Sequence, residues 1–562
     1  MQNVLHNRRP LYMAVGLAMS LAAHTAYAAD GATTQQPNIL VIMADDMGWS
    51  DIQPFGGEID TPYLDELAKE GVSFSNFFVS PFSSPSRAMF LTGADPHEVG
   101  LGNIRELNKP EQNKAPNYVG HLTDNAVTLA QRLKNAGYYT ILSGKWHLGR
   151  KIENQPNAWG FTDAFALLNG EANNYRYQDK FDSPDGRDLY SHNGEDVQLP
   201  DGAFSTDFYT DYLIDHLSKQ QGKPFFAYLA YTAPHSPLQA PQAYIDKYQG
   251  RYTDGPQALA DQRFDKLKSL GLVNDIAKPH PLIGVPEWDS LSDDERAVES
   301  KRMQLYAAMV DNMDHNIGRV MDYLKSTGQY DNTVIVFLSD NGAAGASREK
   351  SGRWGGWISQ SRDNSFDNLG KASSYVSTGL GWAQASMSPF AYYKGFTTDG
   401  GIRSPLIIKA PNAKAGAIEG RFNTLKDLAP TLLDLAGVSK ATPVGKTPLQ
   451  GKSLIDQLAK PQAAQTGPMT AEILEMNGNR QVRKGNFKAT YYSPIPYGLP
   501  PEAMDTDIGR WKLYDVMADP GETTNIAKEH PQILNELVKE YEAYSQRVSV
   551  VELSPTNPTF SD

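Results

Sequence analysis

The amino-acid sequence predicts an α/β fold in which helices flank a large central sheet. Short apolar runs alternate with segments whose apolar residues recur every three or four positions, as strands that alternate with helices do. The runs are almost free of polar residues, which is typical of strands in a sheet covered on both faces. The clearest predicted strands are residues 38–44, 225–231, 333–338 and 406–410.

Two segments carry the helical period most clearly. Residues 295–326 place their apolar side chains on one face of a long helix, and residues 425–436 form a second helix that ends at Gly437. Three other stretches are rich in Gly, Pro, Ser, Asn or Asp, a composition that predicts long surface loops able to shape a pocket. These stretches are residues 169–201, 250–288 and 342–388.

The N-terminus has the composition of a secretory signal. Arg8 and Arg9 precede an apolar run at 11–23, which is followed by the cleavage-type tripeptide AYA at 26–28. The apolar run is too short to span a bilayer as a helix. We therefore expect cleavage after Ala28, export to the periplasm and no membrane insertion afterwards. The paired arginines leave a twin-arginine export route open.

The pattern changes after about residue 441. Strand-like pieces at 481–492 and 511–516 and a final helix near 532–547 predict a small antiparallel subdomain. The predicted organisation is a signal sequence at 1–28, a large α/β domain at 29–441 and a smaller C-terminal subdomain at 442–562.

Composition and charge exclude several classes of function. The 562 residues carry a net charge of −13 without a basic block, which argues against nucleic acid as a partner. The chain has no cysteine, so disulfides, thiolate nucleophiles and cysteine-bound metals are excluded. An acidic protein that handles an anionic substrate needs a locally positive pocket, which makes clustered lysines and arginines informative.

Oxygen-bearing side chains follow two of the predicted strands. Asp45 and Asp46 come directly after the strand at 38–44, and Asp340 and Asn341 follow the strand at 333–338. The carboxyl ends of strands in an open α/β sheet converge on the ligand site. Four oxygen ligands without His or Cys suit Ca²⁺ or Mg²⁺ better than zinc. The same residue types are also common in turns, so plain turn chemistry remains an alternative at this point.

Positive and proton-exchanging groups lie near other strand ends. Lys145 and His147 follow a strand-like segment, His235 follows the strand at 225–231, and Lys394 precedes the strand at 406–410. The two lysines could donate to a tetrahedral oxyanion, and the two histidines could exchange protons near neutral pH. A surface lysine or a loop-capping histidine is the ordinary alternative for each residue alone. Their recurrence beside three strands favours a common site.

The segment SSPSR at 83–87 opens a predicted helix at 86–92. A helix N-terminus offers free N–H groups and the positive end of the dipole, which favour anionic chemistry. The alternative is that these residues only cap the helix. A Ser-His-Asp hydrolase is a further possibility, but no G-x-S-x-G elbow surrounds Ser83. The residues themselves therefore indicate a metal-assisted hydrolase of an anionic ester.

Seven ordered sequence blocks resemble the sulfatase family, within the superfamily that contains alkaline phosphatase, and the likeness is greatest to bacterial arylsulfatases. The resemblance implies an alkaline-phosphatase-like fold with a large mixed central sheet and a smaller C-terminal antiparallel sheet. The blocks are PNILVIMADDMGWSD (37–51), SSPSRAMFLTG (83–93), GKWHLG (144–149), APHSPLQAP (233–241), SDNG (339–342), DGGIRSP (399–405) and WKLYDVMADPGETTN (511–525).

The resemblance also implies roles for individual residues. Ser83 takes the position of the residue that is converted to formylglycine (3-oxoalanine), and Arg87 would steady the modified side chain. His147 would contact the formylglycine hydrate, in a hydrolysis of aryl sulfates to a phenol and inorganic sulfate. The residues implied to hold a calcium ion are Asp45, Asp46, Asp340 and Asn341, and those implied to bind the sulfate group are Lys145, Lys394 and His235.

Two positions depart from the usual family pattern. Ser83 replaces the commoner cysteine, so the resemblance implies a serine-directed formylglycine-generating enzyme as a maturation partner. Asp399 stands where many members carry Glu. Two alternatives to a sulfatase stay open on the sequence alone: a phosphomonoester, phosphodiester or phosphonate hydrolase on the same fold, and a catalytically silent binding protein in which Ser83 is not modified.

Overall fold

A ten-stranded mixed sheet forms the centre of the fold, and a separate four-stranded antiparallel sheet is built from the C-terminal part of the chain. The fold class predicted from the sequence is confirmed. The computed structural model describes residues 36–176, 182–183, 186–187, 189–274, 276–465, 469–493, 498–499 and 509–553. The predicted signal sequence at 1–28 therefore lies outside the described residues, and the boundary at residue 441 stays a prediction.

The large sheet has the strand order β13-β2-β12-β11-β1-β10-β4-β5-β8-β9, and the C-terminal sheet has the order β15-β16-β17-β18. The strands are β1 (Asn38–Ala44), β2 (Val72–Phe74), β3 (Phe77–Phe78), β4 (Tyr139–Lys145), β5 (Asp163–Leu167), β6 (Asp182–Ser183), β7 (Gly186–Arg187), β8 (Tyr190–His192), β9 (Glu195–Val197), β10 (Phe225–Ala230), β11 (Thr333–Ser339), β12 (Leu406–Lys409), β13 (Ala417–Glu419), β14 (Asn423–Thr424), β15 (Glu472–Met476), β16 (Asn479–Lys484), β17 (Phe487–Tyr491) and β18 (Trp511–Asp515).

The helices surround these sheets. They are α1 (Pro62–Glu70), α2 (Ser83–Thr92), α3 (Leu129–Asn135), α4 (Ser205–Leu217), α5 (Gln242–Lys247), α6 (Gly255–Ser269), α7 (Asp293–Ser326), α8 (Gly352–Ser361), α9 (Leu380–Met387), α10 (Asp399–Ile402), α11 (Leu428–Leu435), α12 (Ile455–Ala459) and α13 (Pro531–Val548). Among the described residues, none of these helices combines the length and the apolar character that crossing a bilayer requires.

The central strands are parallel, which brings their carboxyl ends to one edge of the sheet. β1 pairs in parallel with β10 and β11, and β10 and β5 pair in parallel with β4. β12 and β8 pair antiparallel with their neighbours, which makes the sheet mixed. The loops that follow β1, β4, β10 and β11 therefore meet at the same edge.

Both faces of the large sheet are buried. Alternate residues of β1 belong to two different cores, because successive strand side chains point to opposite faces. Leu40 and Ile42 pack with the core that contains the inner face of α7, such as Met309. Ile39 and Val41 pack with the core that contains residues of α2, α3 and α11. This two-sided burial explains why the strands read as unbroken apolar runs.

All three predicted surface loops are wrong in part: the stretch 169–201 contains β8 and β9, which pair in the large sheet, and the other two contain helices. The stretch 250–288 contains α6, which begins at Gly255 and Pro256 and buries Phe264. Glycine and proline at that point mark a helix start, which proline tolerates because its missing N–H would be unpaired there anyway. The stretch 342–388 contains α8 and α9. Glycines inside α8 hid that helix from the sequence pattern.

The C-terminal sheet is a meander of four antiparallel strands covered by α13. The predicted single strand-like piece at 481–492 is two strands, β16 and β17, which turn at Gly485. Gly485 has φ +62, a left-handed conformation that glycine adopts without steric cost. Leu513 and Tyr541 bury their side chains between the sheet and α13.

Candidate active site

Most of the side chains singled out in the sequence meet at the carboxyl edge of the parallel strands. Asp45 and Asp46 follow β1, Lys145 ends β4, and Asp340 follows β11. Asp46 has φ +65, so the chain turns sharply as it leaves the strand. This group, with Asn341 and Lys394, is called the strand-end cluster below, and all six side chains are buried.

The oxygen atoms of the strand-end cluster are only partly satisfied. The backbone N–H of Asp46 donates to Asp340 Oδ1 at 3.3 Å, and Asn341 Nδ2 donates to Asp46 Oδ1 at 2.6 Å. Among the described residues, Asp45 Oδ1, Asp46 Oδ2 and Asn341 Oδ1 are buried without a hydrogen-bond partner. Buried oxygen atoms are rarely left unpaired. Three such atoms from three of the four predicted ligands fit a hard cation such as Ca²⁺.

Two lysines approach these carboxylates. Lys145 Nζ donates to Asp45 Oδ2 at 2.6 Å, and Lys394 Nζ donates to Asp46 Oδ1 at 2.5 Å. Burial raises the pKa of Asp45 to about 7 against the opposing charge of Lys145. Burial acts the same way on Asp46, but Lys394 and His235 outweigh it and lower the pKa of that carboxyl group. The lysines thus supply the locally positive environment that an anionic substrate needs.

Ser83 lies at the first position of α2, between the carboxylate of Asp340 and the guanidinium of Arg87. Its Oγ donates to Asp340 Oδ2 at 2.5 Å and accepts from Arg87 Nε at 3.0 Å. Arg87 is four residues further on, so it lies on the same face of the helix. Its Nη2 donates to Asp340 Oδ2 at 2.8 Å, and its Nη1 donates to the Lys145 carbonyl at 3.1 Å. Arg87 therefore fixes Ser83 and Asp340 relative to each other.

The two histidines occupy different positions. His235 Nε2 lies 3.4 Å from Asp46 Oδ2, and its Nδ1 lies 2.6 Å from the Ser236 carbonyl, so Nδ1 is the protonated nitrogen. His147 Nε2 lies 3.5 Å from Glu106 Oε2. Burial lowers the pKa of both rings, that of His235 to about 4. The structure thus joins His235 to the strand-end cluster directly, whereas the carboxylate beside His147 is Glu106.

Three residues near the site carried no sequence signal. Tyr228, inside β10, receives a hydrogen bond at its hydroxyl from Arg87 Nη1 at 3.2 Å. The apolar sequence of β10 indicates a buried strand, and only the hydroxyl end of the Tyr228 ring reaches the site. Glu106 flanks His147, and Glu171 Oε2 lies 4.0 Å from His235 Nδ1. Both glutamates lie in segments without a recognisable pattern, so only the fold reveals them.

Comparison with known proteins fits this geometry. The Sulfatase family profile matches residues 37–438, and the C-terminal profile of N-sulphoglucosamine sulphohydrolase matches residues 390–547. An uncharacterized sulfatase of Schizosaccharomyces pombe is 40% identical over 552 residues, which cover 92% of this chain and 95% of the relative. The chain belongs to the sulfatase family.

The sulfatase is also similar to the arylsulfatase of Klebsiella aerogenes, with 37% identity over 79% of this chain and 94% of that enzyme. The crystal structure of Ps i-CgsB has a TM-score of 0.64 at 24% identity, with 94% of this chain and 96% of that chain covered, and shows the same fold. As a sulfatase, the protein hydrolyses sulfate esters, and its substrate is a sulfate ester. Members of this family typically use a metal ion and a formylglycine residue.

Proposed function

We propose that this sulfatase hydrolyses aryl sulfates to a phenol and inorganic sulfate, with a formylglycine made from Ser83 and a bound calcium ion. The observation that carries the proposal is the position of Ser83 Oγ between Asp340 Oδ2 and Arg87 Nε, at the head of α2. The similarity to the Klebsiella aerogenes arylsulfatase supports the aryl substrate class.

The proposed calcium ligands are Asp45, Asp46, Asp340 and Asn341. Three of their oxygen atoms have no hydrogen-bond partner among the described residues, and four oxygen-bearing side chains suit calcium, which supports this choice. A calcium ion bound there would polarise an oxygen of the substrate or of the nucleophile and neutralise negative charge as it develops. Once formed, the formylglycine hydrate would offer one hydroxyl for attack on sulfur and a second whose deprotonation releases the sulfate.

The chain's own residues bind the sulfate group and move protons around it. Lys145 Nζ and Lys394 Nζ are point-charge donors for the sulfate oxygens, since each is buried beside a carboxylate that the metal would share. His235 is the proposed acid for the leaving phenol oxygen, through Nε2, because Nδ1 is engaged with the Ser236 carbonyl. The charge of a bound sulfate favours the protonated ring.

His147 is the proposed base that takes a proton from the second hydroxyl of the hydrate. Glu106, with Oε2 3.5 Å from its Nε2, would stabilise the ring once it is protonated. Arg87 holds the modified side chain in place through the same Nε that donates to Ser83 Oγ. The assignment of His147 rests on proton transfer by a positioned side chain, and that of Arg87 on holding the reacting group in its geometry.

Maturation and export are part of the proposal. The chain has no cysteine, so a serine-directed formylglycine-generating enzyme is the proposed partner. Ser83 is only 3% exposed and lies within α2, so an enzyme could reach it only before the chain folds. Modification in the unfolded chain is then followed by export to the periplasm through a signal sequence that is cut after Ala28.

Mass spectrometry of the native protein tests the nucleophile. The tryptic peptide that contains position 83 is expected to be lighter than its encoded mass by two hydrogens. The fraction of peptide with this lower mass should rise in proportion to specific activity. An active preparation whose peptide has the encoded mass throughout would refute the mechanism. Turnover of matched aryl sulfates and aryl phosphates tests the substrate, and faster hydrolysis of the phosphates would overturn the aryl sulfate assignment.

A further inference from the structure

A second group of metal-ligating side chains lies outside the candidate active site. Asp163 is the first residue of β5, His192 is the last residue of β8, and His216 is in the final turn of α4. One carboxylate oxygen and one nitrogen from each ring lie within 4.8 Å of one another. The three residues are far apart in the sequence, and the antiparallel pairing of β5 with β8 brings two of them together.

The sheet geometry explains why these side chains face one another. Phe165 pairs directly with His192 and is two residues from Asp163, so all three point to the same face of the sheet. α4 covers that face, as the ring contact of Phe165 with Tyr212 at 5.6 Å shows. His216 is four residues beyond Tyr212 on the same side of α4. α4 therefore places His216 beside Asp163 and His192.

Hydrogen bonding fixes which nitrogen of His216 faces the carboxylate. His216 Nδ1 lies 2.8 Å from the Tyr212 carbonyl and 3.4 Å from Asp215 Oδ2. Both neighbours only accept hydrogen bonds, so Nδ1 carries the hydrogen of the neutral ring. Its Nε2 faces Asp163 Oδ2, 3.7 Å away. That separation is too long for a hydrogen bond.

His192 presents its Nε2 to the same carboxylate, 3.6 Å from Asp163 Oδ1. Two ligands that each lie about 2.1 Å from a tetrahedral zinc ion are about 3.4 Å apart, close to the 3.7 Å between His216 Nε2 and Asp163 Oδ2. Histidine ligands to zinc usually donate their other N–H to a carbonyl or carboxylate, as His216 does to Tyr212. Other hydrogen bonds orient the carboxylate: Tyr212 Oη and Asn193 Nδ2 donate to Oδ1, and Tyr139 Oη donates to Oδ2.

We propose that Asp163, His192 and His216 bind one Zn²⁺ ion, in a site separate from the calcium site. Two imidazole nitrogens and one carboxylate oxygen suit zinc and disfavour calcium, which prefers oxygen ligands alone. The carboxylate binds through Oδ2, because Oδ1 already accepts two hydrogen bonds. The side chain of His192 is 43% exposed, so water completes the coordination.

The site acts on stability and leaves the reaction unchanged. Asp163 pairs with Ile141 of β4, four residues before Lys145, so it lies about 13 Å from the strand-end cluster along the strand direction. Zinc would tie β5, β8 and α4 together at the edge of the sheet opposite to the candidate active site. It would not contact the sulfate ester.

Zinc binding to the full-length, tag-free protein tests the proposal. The protein is saturated with calcium, so that zinc does not occupy the strand-end cluster, and is then titrated with Zn²⁺ by calorimetry. We expect one zinc ion per chain and a rise in Tm, with an unchanged kcat for aryl sulfate. His192→Gln, at a half-exposed position, is expected to weaken binding at least about tenfold and to abolish the rise in Tm.

His530→Gln is the matched control, because His530 is an exposed histidine whose ring contacts Phe487. It is expected to bind zinc as the wild type does. Cu²⁺ bound in place of zinc is expected to give an electron paramagnetic resonance spectrum with coupling to two imidazole nitrogens, reduced to one in His192→Gln. Equal zinc affinity and stoichiometry in the wild type and His192→Gln, or no binding by the wild type, overturns the proposal.

Discussion

Ser83 Oγ donates a hydrogen bond to Asp340 Oδ2 at 2.5 Å, which joins the first residue of α2 to the first residue after β11. The contact brings the proposed nucleophile position to a proposed calcium ligand. The N-terminus of α2, which is the positive end of its dipole, therefore lies at the strand-end cluster. One residue thus receives the field of a helix, a buried guanidinium and a carboxylate.

Loss of the Ser83 side chain removes the proposed nucleophile. We expect Ser83→Ala to lower kcat for an aryl sulfate by at least about a thousandfold, because no neighbouring group can replace the proposed formylglycine. Circular dichroism and Tm check that the variant folds. Ser84→Ala is the matched control, since Ser84 is as buried in α2 as Ser83 and its side chain makes no hydrogen bond to the described residues of the site. Similar losses in both variants would point to damage to the helix.

Calcium removal is expected to lower both turnover and stability. A ligand at one hundred times its dissociation constant stabilises the folded state by about 2.7 kcal/mol, so chelation should lower Tm, and added calcium should restore it. The substitution Asp45→Asn weakens calcium binding without changing the shape of the site. The Tm of this variant should therefore respond little to the chelator at the same calcium concentration. A wild-type protein whose activity survives thorough chelation would contradict the metal assignment.

Arg87 is expected to contribute strongly to stability. It is buried, and Arg87→Met leaves the carboxylate of Asp340 without its cation, a change that costs about 3–5 kcal/mol for a buried pair. Arg150→Met is the control, because Arg150 is 41% exposed and its pair with Glu106 contributes at most about 1 kcal/mol. Urea denaturation in calcium-free buffer measures both. Equal losses in the free energy of unfolding would show that the ion pair of Arg87 stabilises the protein no more than an exposed pair does.

The strand-end residues could be predicted from sequence because chain order places them. A polar pair directly after an apolar strand, such as Asp45 and Asp46 after β1, must lie at the sheet edge whatever the loops do. Glu106 and Tyr228 could not be predicted in this way. Glu106 reaches His147 only through the path of a loop, and the Tyr228 hydroxyl reaches Arg87 from within a strand that reads as core.

Sites formed across the sheet were equally hidden. His192 and His216 lie on either side of a segment without a metal-ligand spacing, and His192 fell in a stretch predicted as a surface loop. That stretch forms β8 and β9, which pair at the edge of the large sheet. Short edge strands leave little periodic signal, because two or three residues cannot show an alternation.

A buried histidine joins the segment after α2 to the C-terminal sheet. His97 follows α2, and its Nδ1 lies 3.2 Å from Asp95 Oδ1 while its Nε2 lies 3.0 Å from Glu475 Oε2 of β15. Tyr544 of α13 donates its hydroxyl to Asp95 Oδ2 at 2.9 Å, and the ring of Tyr118 packs edge-on against His97. Each ring nitrogen of His97 therefore faces a carboxylate from a different part of the chain.

This arrangement predicts a fall in stability at alkaline pH. Burial would lower the pKa of His97, but the hydrogen bonds that its ring donates to Asp95 and Glu475 outweigh burial and raise the pKa from 6.5 to about 9. Since the folded protein holds the proton more tightly than the unfolded chain, the stabilisation is complete below pH 6.5. It declines as the pH rises and is lost above about pH 9, a total on the order of 3 kcal/mol. The free energy of unfolding, measured by urea denaturation from pH 6 to pH 10, should show this decline in the wild type and should not show it in His97→Gln.

The His530→Gln variant, changed at an exposed histidine, is the control and should keep the wild-type dependence on pH. Parallel curves for the wild type and His97→Gln would show that His97 is not the titrating group.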